Sequence, residues 1–425
     1  MNELKHLKHL SEAKSANGIN FLNPAVSPGT HCPMRMASVI VEEIKGLSSL
    51  LVGMPECTTH SRLFSPNPEG TQGELHWLYV LDAHEVVFGC REGLVEALHT
   101  MDNAGAKAIL IIGTCVPELI GEDLEGMIYE IQPQIKAQLT FVMLGQFKNV
   151  SYPTGSWKTL RAMGALMAEK TTDPKRINVL GRSPVEEHIE MPSLLPAITD
   201  RGFSLSYLAP GANLDDFANG RKALLNLVVS PYAQPLAERM KAEFGIPYLE
   251  LHNRYSVADI DAIYEELAKY LSVSWQNTFN EERQEVLALE TRAKQVLNGL
   301  RFILALRIDL PLPLSVYLGQ LGMNPMLLHL EEYYPEDKKH AAALMAMGYD
   351  PLICRMVNDE FDLETVEALS PDCYFGYLPD WERKIPCIPD VFDFYGTVGY
   401  RRTHHLLMRI LAVIDNDELL EKGDR

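Results

Sequence analysis

Three cysteines in the first third of the chain stand in residue patterns suited to metal chemistry. Cys32 lies in Gly29-Thr-His-Cys32-Pro-Met-Arg-Met-Ala, just ahead of a segment patterned as a helix. Cys57 follows an apolar run in Gly53-Met-Pro-Glu-Cys57-Thr-Thr-His60. Cys115 follows another in Gly113-Thr-Cys115-Val-Pro-Glu-Leu-Ile-Gly121-Glu-Asp-Leu124. Thiolates are the usual protein ligands of iron–sulfur clusters, and backbone N–H groups at helix starts help to hold cluster charge. The spacings are 25 and 58 residues, so only the fold can bring the three together. No CxxC pair occurs, which argues against a zinc knuckle or a thioredoxin-type site. On spacing alone, three buried free thiols are as good a reading as three ligands, because cysteine is among the most buried residue types.

The other reactive groups are weaker candidates. Cys90 could lie near the three but reads better as a small packing residue. Cys354, Cys373 and Cys387 share no ligand spacing and read as buried structural thiols. His31 and His60 are close in sequence to Cys32 and Cys57. They could hydrogen-bond a sulfur and tune its potential, or sit at the surface. Glu118, Glu122 and Asp123 fall in the first helical turns after Cys115, where carboxylates complement the helix dipole; contact with a partner is the sharper alternative. His404 and His405 are adjacent on a helix and cannot face one point. Glu186-Glu187-His188 resembles a metal cluster only superficially, for the same reason. Arg221-Lys222 and Arg401-Arg402 read as solvated, with an anion pocket as the alternative.

The elements that must position the cysteines alternate between apolar strands and amphipathic helices. Residues 50–53, 107–113 and 139–144 read as buried strands of a parallel sheet, and 91–104 and 119–133 as helices between them. A second set takes in residues 176–181, 203–208 and 224–229, with a helix over 233–244. A third set takes in residues 301–306, 325–330, 352–354 and 372–376. A Glu-, Leu-, Arg- and Ala-rich helical region spans 257–300, and a final helix covers about 400–415. The fold class is therefore α/β: three Rossmann-like parallel-sheet domains with a helical connector. The expected divisions are 1–165, carrying the three cysteines; 166–256; the connector 257–300; and 301–425 with its C-terminal helix. Cys57 and Cys115 then fall at strand C-terminal ends, the sheet edge where ligands collect. Gly53 and Gly113 let backbone approach closely there. None of the three units carries a GxGxxG or GxxxxGK[ST] loop, so neither a dinucleotide nor ATP is an expected ligand of this chain.

Composition narrows the classes further. Net charge is −19 over 425 residues, which argues against nucleic-acid binding, where phosphate contacts need a Lys/Arg excess. No apolar run reaches the length of a membrane span, and the polar N-terminus lacks the apolar core of a secretory signal. Seven cysteines without an export signal fit a reducing cytoplasm, and a cytoplasmic location is expected.

The stretch 30–130 resembles the N-terminal domain of nitrogenase component 1 subunits and their relatives. The resemblance is carried by Cys32-Pro, Gly53-Met-Pro-Glu-Cys57, Asp82-Ala-His-Glu-Val-Val-Phe-Gly89 and Gly113-Thr-Cys115-Val-Pro-Glu-Leu-Ile-Gly121-Glu-Asp-Leu124. Weaker matches follow in Phe244-Gly-Ile-Pro247, Pro389-Asp-Val-Phe-Asp393 and Gly396-Thr-Val-Gly-Tyr400. The cysteine spacing is most similar to a β-type subunit.

The resemblance implies an enzyme, a nitrogenase-like oxidoreductase subunit. In it Cys32, Cys57 and Cys115 hold an iron–sulfur cluster shared with the partner subunit, either 8Fe-7S of the P-cluster type or 4Fe-4S. It further implies a homologous α-type partner in an α2β2 heterotetramer and transient docking of an ATP-hydrolysing iron protein as reductase. In the family's α-type chains, a second-domain cysteine and a C-terminal histidine anchor the active-site cofactor. Here Ser230 and Asp390 stand near those places, so this chain is expected to relay electrons. Ser151 could supply a hydroxyl near the cluster. The implied substrate is a small, hard-to-reduce molecule of the methylthio-alkane (thioether) or dinitrogen class. A cofactor-assembly scaffold and one component of a tetrapyrrole reductase are the alternatives.

Overall fold

The structure is a computed structural model. It describes residues 4–15, 18–20, 22, 32–57, 70, 73–145, 152–168, 171–305, 311–330, 333–334, 336–355, 362–376, 385–388 and 396–420. The chain divides into two compact units. One comprises Thr30–Glu187 with Ile198–Glu250; the other comprises Met1–Gly29, His188–Ala197 and Leu251–Arg425.

The first strand, β1 (Lys8–His9), belongs to the last sheet of the chain and is described with it. Next come β2 (Leu47–Gly53), β3 (His76–Val80), β4 (Ala108–Gly113) and β5 (Gln138–Met143). They pair in parallel in the order β3-β2-β4-β5. Every residue of β2 and β4 is buried, as the near-continuous apolar runs require of strands covered on both faces. The two-residue period still sorts them. Leu50, Val52, Ile109 and Ile111 face a layer with Leu94, Leu98, Met101 and Met127. Leu51, Leu110 and Ile112 face Met34, Val41 and Leu160.

The second sheet is built alike. Its strands are β6 (Asp173–Leu180), β7 (Ser204–Leu208), β8 (Ala223–Val228) and β9 (Tyr248–Glu250), parallel in the order β7-β6-β8-β9. Leu180, Leu208, Val228 and Leu236 extend the core that holds Met34 and Leu51, so these two sheets share one apolar interior.

In the other unit two helices, Val257–Leu271 and Asn280–Val296, precede β10 (Arg301–Leu304), β11 (Asn324–His329), β12 (Leu352–Cys354), β13 (Cys373–Phe375) and β14 (Cys387–Ile388). The order is β1-β12-β11-β10-β13-β14, parallel throughout except for β1 against β12. The final helix, Tyr400–Leu420, packs along Asn280–Val296.

The α/β class with three parallel-sheet domains is thus as the sequence patterning predicts. Two helical expectations are corrected. The helix expected over 119–133 is two, Cys115–Ile120 and Leu124–Ile131. Gly121 adopts the left-handed conformation (φ 76°) and ends the first; Asp123 caps the second by accepting the Gly126 N–H. The region 257–300 is likewise broken, after Leu271, where Ser272 turns left-handed (φ 54°).

Candidate functional site

The chain runs from β2 outward to β3, then returns to the far side of β2 to lay down β4. The connections therefore diverge between β2 and β4, and a crevice opens at the C-terminal ends of such neighbours. Cys57 follows β2 and Cys115 follows β4, so the topology delivers both thiols to that one edge.

Local geometry ties the two strand ends together. Thr114, the residue before the helix Cys115–Ile120, donates its backbone N–H (3.1 Å) and its hydroxyl (2.9 Å) to the Val52 carbonyl. The Cys57 thiol donates to the same hydroxyl oxygen at 3.6 Å. Cys57 closes a short helical turn, its N–H bonded to the Met54 carbonyl at 3.0 Å. Gly53 makes room for this: a Cβ there would overlap Thr114 Oγ1 outright and lie 3.2 Å from Cys57 Sγ.

Cys32 arrives from another direction. It caps the helix Pro33–Glu43, whose first residue is the proline favoured at that position, and its carbonyl accepts the Arg35 N–H at 3.1 Å. Burial pushes the Cys32 thiol above its ordinary value, and the nearby thiols of Cys115 and Cys57 push it the same way. The sulfurs of Cys57 and Cys115 thus both lie within electrostatic reach of Cys32. All three are half-buried, and none of the seven cysteines forms a disulfide.

Among the described residues no three His, Cys, Asp or Glu side chains are gathered closely enough to hold a single metal ion. Ligands of one zinc-like ion sit about 2.0–2.3 Å from it and so about 4 Å or less from each other. A multi-iron cluster separates its thiolates more widely. The all-thiol donor set is the one that an iron–sulfur cluster takes.

The secondary candidates are dispersed. Cys90 is buried in the core beneath β2 and β4; burial, then the carboxylates of Glu122 and Glu85, push its thiol up to about 12. Cys354, Cys373 and Cys387 are buried in β12, β13 and β14. The rings of His404 and His405 lie 5.7 Å apart, and His405 Nδ1 approaches Glu190 at 3.6 Å. Glu186 acts electrostatically on Arg182 and Glu43. Ser230 is buried just past β8. His31, His60, Ser151 and Asp390 lie outside the described residues.

Two features go beyond what the sequence patterning indicates. One is Arg182, buried just past the end of β6, where burial lowers its pKa; its only sequence signal is its place after a strand-ending glycine. The other is an exposed apolar patch beside the thiols. Val87 and Phe88 end the helix Ala83–Phe88, and Leu119 and Ile120 end the helix Cys115–Ile120; Phe88 is 74% exposed and Val87 70%. The two helices pack against each other.

The sequence model of one family, nitrogenase component 1 type oxidoreductase, matches residues 32–415, from Cys32 almost to the end of the final helix. The chain belongs to this family. Several component 1 relatives are similar to it. Nitrogenase iron-molybdenum cofactor biosynthesis protein NifE of Rippkaea orientalis is 27% identical over 197 residues, 45% of this chain and 41% of NifE. One chain of the light-independent protochlorophyllide reductase of Trichormus variabilis is 25% identical over 190 residues, 40% of this chain and 37% of that relative. These matches thus span about two fifths of each relative. The nitrogenase molybdenum-iron protein beta chain of Methanothermobacter thermautotrophicus is 22% identical over 362 residues, 76% of this chain and 78% of the beta chain. The component 1 fold is matched along its length by the solved structure "Nitrogenase Cp1 at pH 6.5". Its TM-score is 0.72 at 18% identity, covering 95% of each chain. Among the described residues no helix is long and apolar enough to cross a membrane.

Proposed function

We propose that this chain is the β-like, electron-relaying subunit of a nitrogenase-like two-component reductase. The observation that carries the reading is that Cys57 and Cys115 follow two neighbouring parallel strands at one sheet edge and that both thiols act electrostatically on Cys32. Their thiolates would hold an iron–sulfur cluster shared with a homologous subunit. Such a cluster supplies low-potential electrons, tuned by burial and by hydrogen bonds to sulfur. This chain's own part is to bury the thiols halfway and to fix the Cys57 and Cys115 backbones through Thr114.

The exposed apolar side chains Val87, Phe88, Leu119 and Ile120, on two helices that pack against each other, support docking of an ATP-hydrolysing iron protein close to Cys115, since exposed apolar surface marks interaction sites. Ser230, a hydroxyl rather than a thiol, supports a chain that relays electrons while the partner holds any active-site cofactor. The substrate class is a small, hard-to-reduce molecule, a thioether or dinitrogen.

The similarity to NifE favours one second reading, a scaffold on which a cofactor is assembled. Anaerobic co-purification with the partner separates the two. A reductase subunit consumes electrons catalytically when given the iron protein and MgATP. A scaffold releases bound iron to an acceptor protein and shows no turnover, and that result would displace the reductase reading.

A further inference from the structure

The helix Ala83–Phe88 carries the most exposed part of the apolar patch, yet none of its six residues is buried. Val86 packs against the core below, and polar contacts hold both ends. At its start Asp82 and Glu85 cap each other's backbone N–H groups at 2.8 and 3.0 Å, and Glu85 also accepts the Tyr79 hydroxyl. At its end the chain turns through Gly89, at φ 91°, a conformation open to glycine. Glu122 meets that turn. Its carboxylate accepts the Cys90 N–H at 3.3 Å and would lie 3.2 Å from a Cβ on Gly89.

Glu122 is also built into the turn that ends the helix Cys115–Ile120. Its backbone N–H bonds to the Pro117 carbonyl at 2.9 Å, directly after left-handed Gly121. One residue thus grips the end of the Phe88 helix with its side chain and the end of the Cys115 helix with its backbone.

We propose that Glu122 is a positioning residue that latches the exposed apolar patch to the Cys115 helix, so that a protein seating on Phe88 shifts the backbone carrying Cys115. The inference rests on the reductase reading above. A six-residue helix is short and stiff, so displacement at Ile120 is delivered at Cys115. Besides the packing of the two helices, one side-chain contact joins the turn after Phe88 to the Cys115 helix, and its removal loosens that join without removing a ligand or an apolar contact.

The test uses the full chain purified anaerobically with its partner, the iron protein of the same cells, and MgATP. It compares the parent with Glu122→Ala and Glu122→Gln. The glutamine keeps an oxygen to accept the Cys90 N–H; the alanine keeps none. Glu122→Ala retains the parent's iron and its reduction by dithionite alone. Cys90 is labelled faster by iodoacetamide, as read by peptide mass. Electron transfer from the iron protein falls roughly tenfold, the loss of about one hydrogen bond to a charged group. Glu122→Gln recovers most of the transfer rate. A merely structural role would lower iron content and dithionite reduction together with transfer.

Three results overturn the latch: Cys90 labelled no faster in Glu122→Ala, transfer unchanged despite faster labelling, or equal loss in both variants, which would mean that the charge touches the reductase directly. A parent protein that carries no iron, or takes no electrons from the iron protein, would instead overturn the reductase reading, and the latch with it.

Discussion

The Cys57 thiol donates to the Thr114 hydroxyl at 3.6 Å, and that hydroxyl in turn donates to the Val52 carbonyl at 2.9 Å. Thr114 is buried and immediately precedes Cys115, so one side chain fixes the relation between two of the three proposed ligands. Thr114→Val keeps the shape and deletes the hydroxyl, leaving Val52 with the backbone bond alone. Loss of a buried hydrogen bond costs about 1–3 kcal/mol. The urea midpoint should fall, and Thr114→Ser should restore it. Equal midpoints for threonine and valine would show that the bond carries no stability.

Gly53→Ala drives a methyl group into Thr114 Oγ1 and against Cys57 Sγ. Overpacking of this kind costs about 1–3 kcal/mol. Relief can come only by displacing Cys57 or Thr114, so bound iron should fall along with stability. Iron analysis beside urea unfolding checks this, and full iron in Gly53→Ala would show that the strand end has room to spare.

The parts of this architecture legible in the sequence are those set by long apolar runs. β2 and β4 are continuous apolar segments buried on both faces, and the glycine–cysteine pattern at their ends marks the site. The half-exposed strand β3 is not legible in this way, because His76-Trp-Leu-Tyr-Val lies at a sheet edge with weak patterning. The two-residue strands β1 and β14 carry no periodicity at all. Around Gly121 local composition favours a continuous helix; the left-handed turn there is a backbone choice that the 3.6-residue pattern does not report. The patch at Phe88 is hidden for a related reason. Three adjacent apolar residues do not tell which of them faces solvent; the packing turns Val86 to the core and leaves Val87 and Phe88 exposed.

Phe88→Ala tests the patch as a docking surface. The ring is 74% exposed and lies 4.6 Å from the His84 ring between centroids, so folding and iron content should stay at the parent's values. Removing an aromatic anchor from an interface costs about 1–3 kcal/mol, roughly a tenfold or greater loss in affinity for the iron protein. Unchanged affinity would move the docking surface elsewhere.

Two buried groups in the third-sheet unit make its stability depend on pH in opposite senses. Burial lifts the Asp337 carboxyl from 3.8 to about 7, against the Tyr334 N–H it accepts at 2.7 Å. The folded state therefore binds this proton more tightly, and the contribution, complete below about 3.8, is lost as pH rises through about 7. Asp337→Asn should raise the urea midpoint above that pH and leave it unchanged below about 3.8. His329 is the converse: burial lowers its pKa from 6.5 to about 3, so its contribution is present above 6.5 and lost as pH falls toward 3. His329→Gln should soften the acid limb alone. Midpoints of the two variants measured from acid to neutral pH decide the matter, and parallel curves for parent and variants would contradict it.

The most direct measurement is iron per chain, with electron paramagnetic resonance spectra of the reduced and the oxidised protein, for the anaerobically purified complex and for Cys32→Ala, Cys57→Ala and Cys115→Ala. The parent should be brown and iron-loaded, with a paramagnetic signal in the reduced or the oxidised state, and each substitution should remove or convert that signal while Cys90→Ala leaves it intact. Colourless, iron-free parent protein from anaerobic cells, or full iron in all three single variants, would contradict the assignment of these thiols as cluster ligands.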